Sequence, residues 1–208
     1  MSKKIIIIGG GRHAQVIRSI MAINDDFECL GYTDVETRNL NIPYLGDDSC
    51  IKNYSPKEIL LINGIGSVDL PSKRQCLYER FKKLGYTFHS MIHPRAVISS
   101  EVELAEGVQI MAGVVINCGT IIEENVVLNT SSSIDHDCQI GAHSHIAPGV
   151  TLSGQVTIGE GCHIGTGATV IQGIHVGNHS LVGAGSVVIS DIGSNSKVLG
   201  NPARMVLA

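Results

Sequence analysis

Basic residues are missing from most of the C-terminal half of this 208-residue chain. No lysine or arginine occurs between Arg95 and Lys197. Nine acidic residues lie in that span: Glu101, Glu103, Glu106, Glu123, Glu124, Asp135, Asp137, Glu160 and Asp191. Because binding to phosphate backbones depends on clustered basic side chains, we expect no nucleic-acid partner for this half. A polyanionic ligand there would need Lys197, Arg204, backbone amides or a neighbouring subunit.

Long apolar runs and paired cysteines are missing too. The isoleucine run in MSKKIIIIGG is too short for the core of a signal peptide or for a membrane span, so we expect a cytoplasmic protein without membrane insertion. No CxxC pair links the six cysteines, which predicts buried, reduced thiols and no metal site. They are Cys29, Cys50, Cys76, Cys118, Cys138 and Cys162.

The segment before His93-Pro94 has the pattern of a small α/β domain. KKIIIIGGGRHAQVIRSIMAI predicts a buried strand, a glycine turn and a helix whose apolar positions are Val16, Ile17, Ile20, Met21 and Ile23. CLGYTD and EILLINGIG predict two further strands, and SKRQCLYERFKKL predicts a charged helix. We therefore expect a Rossmann-like parallel sheet domain over residues 1–92.

After His93 the chain has a period of six. An aliphatic residue occupies every sixth position for sixteen consecutive hexads: Ile98, Leu104, Ile110, Ile116, Ile122, Leu128, Ile134, Ile140, Ile146, Leu152, Ile158, Ile164, Val170, Val176, Val182 and Val188. The residues two positions before these aliphatic residues form a second set, mostly small, whose side chains we also expect to point inward. Cys138 and Cys162 belong to this set. This period predicts a parallel β-solenoid over residues 93–208, ending in a C-terminal tail.

One histidine of the solenoid has acidic residues on both sides. His136 lies two residues after Ile134 in SSSIDHDCQIG, so we expect it near the centre of a side and pointing outward. Either Asp135 or Asp137 could accept the imidazole N–H and raise its basicity, as carboxylates do for catalytic histidines. The pattern therefore indicates a general base, whereas His143, His175 and His179 have no such flanks.

From His93 to Val206 the chain resembles the NeuD-like hexapeptide-repeat sugar acetyltransferases. The shared segments are IHPRAVIS, NTSSSIDHDCQIGAHSHIAPGVTLSG, IGTGATVIQGI, VGAGSVV and GNPAR. The resemblance implies a left-handed β-helix with three hexads per coil, a homotrimer, and active sites between subunits. With eighteen residues per coil, His145 and His163 should then lie one above the other.

The resemblance also implies roles for single residues. His136 would be the general base, Asp137 would raise its basicity, and Asn129 would lie near this pair. For acetyl-CoA, His145 would contact the thioester region, the Gly154 amide would face the acetyl carbonyl, and Thr166 and Gly173 would line the pantetheine channel. The family chemistry needs no metal.

The glycine turn GGGRHA follows a strand and opens a helix, which is where backbone amides bind phosphates. A tight turn with a purely structural role has the same pattern. The resemblance implies that Gly11, Arg12 and His13 bind a nucleotide-sugar and that Asp34 contacts its base or ribose. Arg12 replaces the family's Gly or Ser, and Val35 stands where many members have a second acid.

We therefore expect acetyl transfer from acetyl-CoA to the amino group of a UDP- or dTDP-linked sugar in surface glycan or lipopolysaccharide biosynthesis. O-acetylation of sialic acid would use the same scaffold. A γ-type carbonic anhydrase also has this solenoid, but it needs two histidines five residues apart, a spacing this chain lacks. A non-catalytic scaffold is the third class, and the acids beside His136 argue against it.

Overall fold

A computed structural model describes residues 3–23, 27–70 and 72–206. Two compact units divide the chain: Met1–Gly66 with Lys73–Met91, and Ser67–Ser72 with Ile92–Ala208. The short segment Ser67–Ser72 groups with the C-terminal unit, which no pattern in the sequence indicated. Residues 1, 2, 24–26, 71, 207 and 208 of the predicted domains lie outside the described residues.

The N-terminal unit contains the predicted strands and helices in the predicted order. They are β1 (Lys3–Ile8), α1 (Arg12–Met21), β2 (Phe27–Thr33), β3 (Ile59–Asn63) and α2 (Ser72–Lys83). A 3-10 helix (Asp48–Asn53) between β2 and β3 was not predicted. The three strands are parallel, with the spatial order β2-β1-β3. The Rossmann-like parallel sheet domain is thus confirmed.

Strand β1 is the centre of this sheet, and its isoleucines Ile5 to Ile8 are all fully buried. A near-continuous apolar strand is typical of a parallel sheet. Helix α1 buries Ala14, Ile17, Ile20 and Met21. Its predicted apolar face was partly wrong, because Val16 and Ile23 are 44% and 55% exposed.

The C-terminal unit is a β-helix of very short strands. They are β4 (Met91–Ile92), β5 (Val97–Ile98), β6 (Glu103–Leu104), β7 (Gln109–Ile110), β8 (Val115–Ile116), β9 (Ile121–Ile122), β10 (Val127–Leu128), β11 (Ser133–Ile134), β12 (Gln139–Ile140), β13 (His145–Ile146), β14 (Thr151–Leu152), β15 (Thr157–Ile158), β16 (His163–Ile164), β17 (Thr169–Val170), β18 (His175–Val176), β19 (Leu181–Val182), β20 (Val187–Val188), β21 (Lys197–Leu199) and β22 (Arg204–Met205).

Three sheets form its faces. The first has the order β22-β21-β19-β16-β13-β10-β7-β4, the second β20-β17-β14-β11-β8-β5, and the third β18-β15-β12-β9-β6. Within β5 to β20 the paired residues differ by eighteen positions, as in Val127 with His145 and Ser133 with Thr151. From Ile110 to Val188 every predicted hexad aliphatic is at most 1% exposed, which confirms the solenoid. Burial of each such side chain contributes roughly 1.5–3 kcal/mol to folding.

The corners of the solenoid have their own period. Every sixth residue from Gly107 to Gly185 has a left-handed backbone conformation, three positions after an aliphatic residue of the hexad pattern. Eight of these fourteen residues are glycine, the residue with the smallest penalty for a positive φ. The other six are Asn125, Ser131, Asp137, His143, Gln155 and His179. Asp137 therefore stands at a position where the backbone is already strained.

Candidate active site

His136 lies in the corner between β11 and β12. The expectation that it lies near the centre of a side was wrong, because the chain turns immediately after the two-residue strand that contains Ile134. The side chain does point outward, as expected, and is 43% exposed.

The two acids beside His136 bind different parts of it. The His136 Nδ1 atom lies 2.8 Å from Asp137 Oδ2. Asp135 Oδ1 instead accepts the backbone N–H of His136 at 2.8 Å and the Asn117 side-chain amide at 2.9 Å. The ring partner in the structure is therefore Asp137, whereas Asp135 holds the backbone of the corner.

These contacts also explain the electrostatics of the corner. The hydrogen bond that the His136 ring donates to Asp137 raises the pKa of His136. The charges of Asp135 and Asp137 also raise this pKa, whereas partial desolvation lowers it. Hydrogen bonds from Asn117 and from the His136 backbone lower the pKa of Asp135, so it stays ionised. With Asp137 accepting from Nδ1–H, the Nε2 lone pair of the neutral ring is available to take a proton.

Gly154 provides the space that the His136 ring occupies. Gly154 is the residue eighteen positions after His136, at the same corner one coil further. A Cβ at Gly154 would lie 2.5 Å from His136 Nε2, so any side chain there would displace the ring. Within residues 3–23, 27–70 and 72–206 no group accepts the Gly154 N–H, whereas its carbonyl accepts the Gly173 N–H at 3.0 Å. A backbone N–H without an acceptor, placed beside a basic ring, is suited to donate a hydrogen bond to an oxyanion.

A cleft of about 340 Å³ lies on the first face of the solenoid. His145 pairs with His163 across β13 and β16, so the predicted stacking is confirmed. Their rings are 5.0 Å apart and nearly perpendicular, and the side chains are 95% and 93% buried. The cleft is also lined by Ser67, Val68, Asn129, Ala147, Pro148, Gly165, Thr166 and Gly183.

Asn129 belongs to this cleft. Its amide nitrogen lies 3.1 Å from His145 Nε2, and it makes no hydrogen bond to His136 in the described part of the chain. Within one chain Asn129 lies apart from the His136–Asp137 pair, because residue 129 follows a strand of the first face and residue 136 a strand of the second. The expectation that Asn129 lies near this pair in a site between subunits stays a prediction. Thr166 lines the cleft, whereas Gly173 lies beside Gly154.

The glycine turn of the N-terminal unit requires its glycines. Gly9 has a φ of +94°, and a Cβ at Gly10 would lie 2.7 Å from the Tyr32 ring. Asp34 Oδ2 accepts the Gly10 N–H at 2.9 Å, which joins the end of β2 to the turn. Gly11 caps α1, so Arg12 and His13 form its first turn.

A second crevice, of about 390 Å³, lies where β1, β2 and β3 end. Ligands of open parallel sheets bind at this carboxyl edge. Gly9, Asp34, Val35, Asp48 and Arg80 line it, whereas Gly11, Arg12 and His13 are outside its lining. Of the predicted nucleotide-sugar residues, only Asp34 lies in this crevice.

The cysteines differ in exposure. Cys138 and Cys162 are fully buried as predicted, and burial raises the pKa of Cys138 to about 11. Cys76 and Cys118 are exposed, which contradicts the expectation of uniformly buried thiols. The described residues contain no group of three His, Cys, Asp or Glu side chains placed to hold a metal. No helix among those residues is both long and apolar enough to span a bilayer.

Comparison with known proteins matches both units. Residues 4–81 match the PglD N-terminal domain, residues 119–154 the bacterial transferase hexapeptide (six repeats), and residues 155–190 the hexapeptide repeat of succinyl-transferase.

Solved structures match nearly the whole chain. The acetyltransferase domain of PglB from Neisseria gonorrhoeae, solved in complex with acetyl coenzyme A, is 32% identical with a TM-score of 0.93, over 99% of this chain and 100% of that one. PerB from Caulobacter crescentus, solved with CoA and GDP-perosamine, is 35% identical with a TM-score of 0.91, over 98% and 97% of the two chains.

The fold and these matches define an acyltransferase built on hexapeptide repeats. The chain belongs to the PglD- and NeuD-like family of sugar acetyltransferases. Members of similar structure have been solved with acetyl-CoA or CoA, as expected for the acyl donor of such an enzyme.

Proposed function

We propose that this protein transfers the acetyl group of acetyl-CoA to the amino group of a nucleotide-linked sugar, with His136 as the general base. The observation that carries the proposal is the outward His136 ring, which is hydrogen-bonded through Nδ1 to Asp137 and lies against Gly154, whose N–H has no acceptor among the described residues. The ring thus has beside it a carboxylate that accepts its Nδ1–H and a backbone N–H that can donate a hydrogen bond to an oxyanion.

The proposed reaction is a direct transfer. The sugar amine attacks the thioester carbonyl, and His136 Nε2 takes the proton that the nitrogen loses. Gly154 N–H stabilises the oxyanion of the tetrahedral intermediate. The C–S bond then breaks, the amide forms, and His136 returns its proton to the leaving thiolate of CoA. No covalent enzyme intermediate is needed, because a thioester is already activated and mainly needs alignment with the amine.

We assign the cleft on the first face to acetyl-CoA, with His145, Asn129 and Thr166 as contacts and Gly173 near the pantetheine arm. In one chain His136 and Asn129 lie at different corners of the solenoid. A neighbouring chain that presents its cleft to this corner would bring the two groups together. We therefore propose a homotrimer with three active sites between subunits.

The N-terminal unit, residues 1–92, would bind the nucleotide-sugar. The crevice at the carboxyl edge of its sheet and the Gly10–Asp34 contact support a nucleotide site, with Gly11, Arg12 and His13 at the phosphates. Arg12 is exposed at the first turn of α1 and can pair with a diphosphate. A UDP- or dTDP-sugar was expected, and the GDP-perosamine bound by PerB adds a third nucleotide to test. The reaction would serve surface glycan biosynthesis in the cytoplasm.

The test is thiol release from acetyl-CoA with UDP-, dTDP- and GDP-linked 4-amino sugars and with sialic acid. We expect turnover with an amino sugar and a product whose amide resists hydroxylamine. Turnover with sialic acid alone, giving a hydroxylamine-sensitive ester, would replace N-acetylation by O-acetylation. No turnover with any acceptor would contradict the proposal.

A further inference from the structure

The orientation of the Asn129 amide is fixed by a neighbour on its own chain. The backbone N–H of Thr130 donates to Asn129 Oδ1 at 2.8 Å, so that end of the amide must be the oxygen. The NH₂ end therefore faces His145 Nε2, at 3.1 Å. Because an NH₂ group can only donate, His145 Nε2 accepts a hydrogen bond and carries no proton.

The proton of the neutral His145 ring must then be on Nδ1. That atom lies 2.8 Å from the hydroxyl oxygen of Ser67, which accepts from it. Ser67 is 78 positions earlier in the chain, in the segment Ser67–Ser72 that groups with the solenoid. Val68 of the same segment lines the cleft, and the negative charge of Asp69 reaches His163.

We infer that Ser67 is a positioning residue of the acyl-donor site. It holds His145 as the neutral Nδ1–H tautomer, and His145 in turn holds the Asn129 amide. The second N–H of that amide has no acceptor in the described chain and is the donor offered to bound acetyl-CoA. This inference rests on the proposed use of the cleft for acetyl-CoA.

The hydrogen bonds from Ser67 through His145 to Asn129 also imply different roles for His145 and His136. Both ring nitrogens of His145 are engaged, Nδ1 by Ser67 and Nε2 by Asn129, so this ring takes no proton from the acceptor amine. His136 Nε2 has no hydrogen-bond partner among the described residues, so His136 can take that proton. His145 therefore lines the acyl-donor site with its ring held in one orientation.

Kinetics of Ser67→Ala give the first test. Loss of one hydrogen bond that positions the donor site is expected to raise KM for acetyl-CoA by about three- to tenfold, with KM for the sugar unchanged. Ser67→Thr keeps the hydroxyl and should restore KM. The matched control is Ser72→Ala, an exposed serine of the same segment, which should leave both constants unchanged. An unaltered KM for acetyl-CoA in Ser67→Ala would overturn the inference.

Nitrogen-15 NMR of histidine-labelled protein gives a second test that needs no turnover. In the wild type the Nδ1 signal of His145 should be that of a protonated nitrogen, and Ser67→Ala should move it. A protonated Nε2 in the wild type would overturn the inference. If instead His136→Ala keeps full turnover while the Nδ1 proton and the KM effect are found, the proposed general base fails and the role of Ser67 stands.

Discussion

Single residues set the proton chemistry of the corner between β11 and β12. Asp137 contacts the His136 ring, whereas Asp135 contacts only its backbone. Two acids at equal distance in the sequence therefore have different effects on the same histidine. The sequence showed that one acid would be the partner, but the choice depends on the left-handed conformation of Asp137, which is set by the solenoid corner.

Asp137→Asn tests this difference through pH. Asp137 raises the pKa of His136, and the proposed active form is the neutral ring, so activity rises as the pH passes that raised pKa. Removal of the carboxylate lowers the pKa towards its ordinary value, so the acid limb of the kcat profile should move to lower pH. A weaker, less oriented base should also lower kcat by about tenfold.

Asp135→Asn is the control for that variant. Asp135 does not contact the ring, so the acid limb should move less than in Asp137→Asn. Equal shifts in the two variants, measured as kcat between pH 5 and 9, would show that general charge and not the hydrogen bond tunes His136.

Gly154→Ala tests the space beside the ring. The added methyl group would lie 2.5 Å from His136 Nε2, so the ring must rotate away from its position. We expect kcat to fall by about 100-fold, which is the size of effect that misplacement of a catalytic group produces. Gln172→Ala, one coil further at the same corner, should keep wild-type kcat, and both variants should keep the wild-type circular dichroism spectrum. Full activity of Gly154→Ala would show that the ring position is unimportant.

At the scale of elements, the hexad pattern predicted the buried aliphatic column but missed the corner column. Every sixth residue from Gly107 to Gly185 needs a positive φ, and glycine at eight of fourteen such positions was the available signal. For the same reason His136 was placed on a side, although it precedes a corner residue.

Gln155 allows the energy of one corner to be measured. It is exposed and has a φ of +61°, which β-branched residues tolerate badly. Gln155→Val should lower the free energy of unfolding by about 1–2 kcal/mol, whereas Gln155→Gly should be neutral or stabilising. Thermal unfolding of both variants tests the expectation, and equal stability of the two would contradict it.

At the scale of the whole molecule, the sequence predicted both units and most of their order, because strand periods are local properties. The contact between Ser67 and His145 was missed, because no local pattern reports a pair 78 positions apart. Asn129 was placed beside His136 by resemblance, yet one chain keeps them on different faces.

This separation predicts that active sites are shared between subunits. His136→Ala and Asn129→Ala should each be inactive alone, but trimers reassembled from an equal mixture should regain about one quarter of wild-type activity. That fraction follows if each site takes His136 from one chain and Asn129 from its neighbour. No recovery after mixing, with trimer assembly verified by light scattering, would place each site within one chain.

The most direct test of the general base is kcat of His136→Ala, measured by thiol release from acetyl-CoA with the best amino-sugar nucleotide of the panel. We expect a fall of about 10²- to 10⁴-fold, the usual contribution of such a group, with KM for acetyl-CoA close to that of the wild type. A general base contributes at least about 10² to the rate. A kcat of His136→Ala within about twofold of the wild type would therefore contradict the assignment of His136.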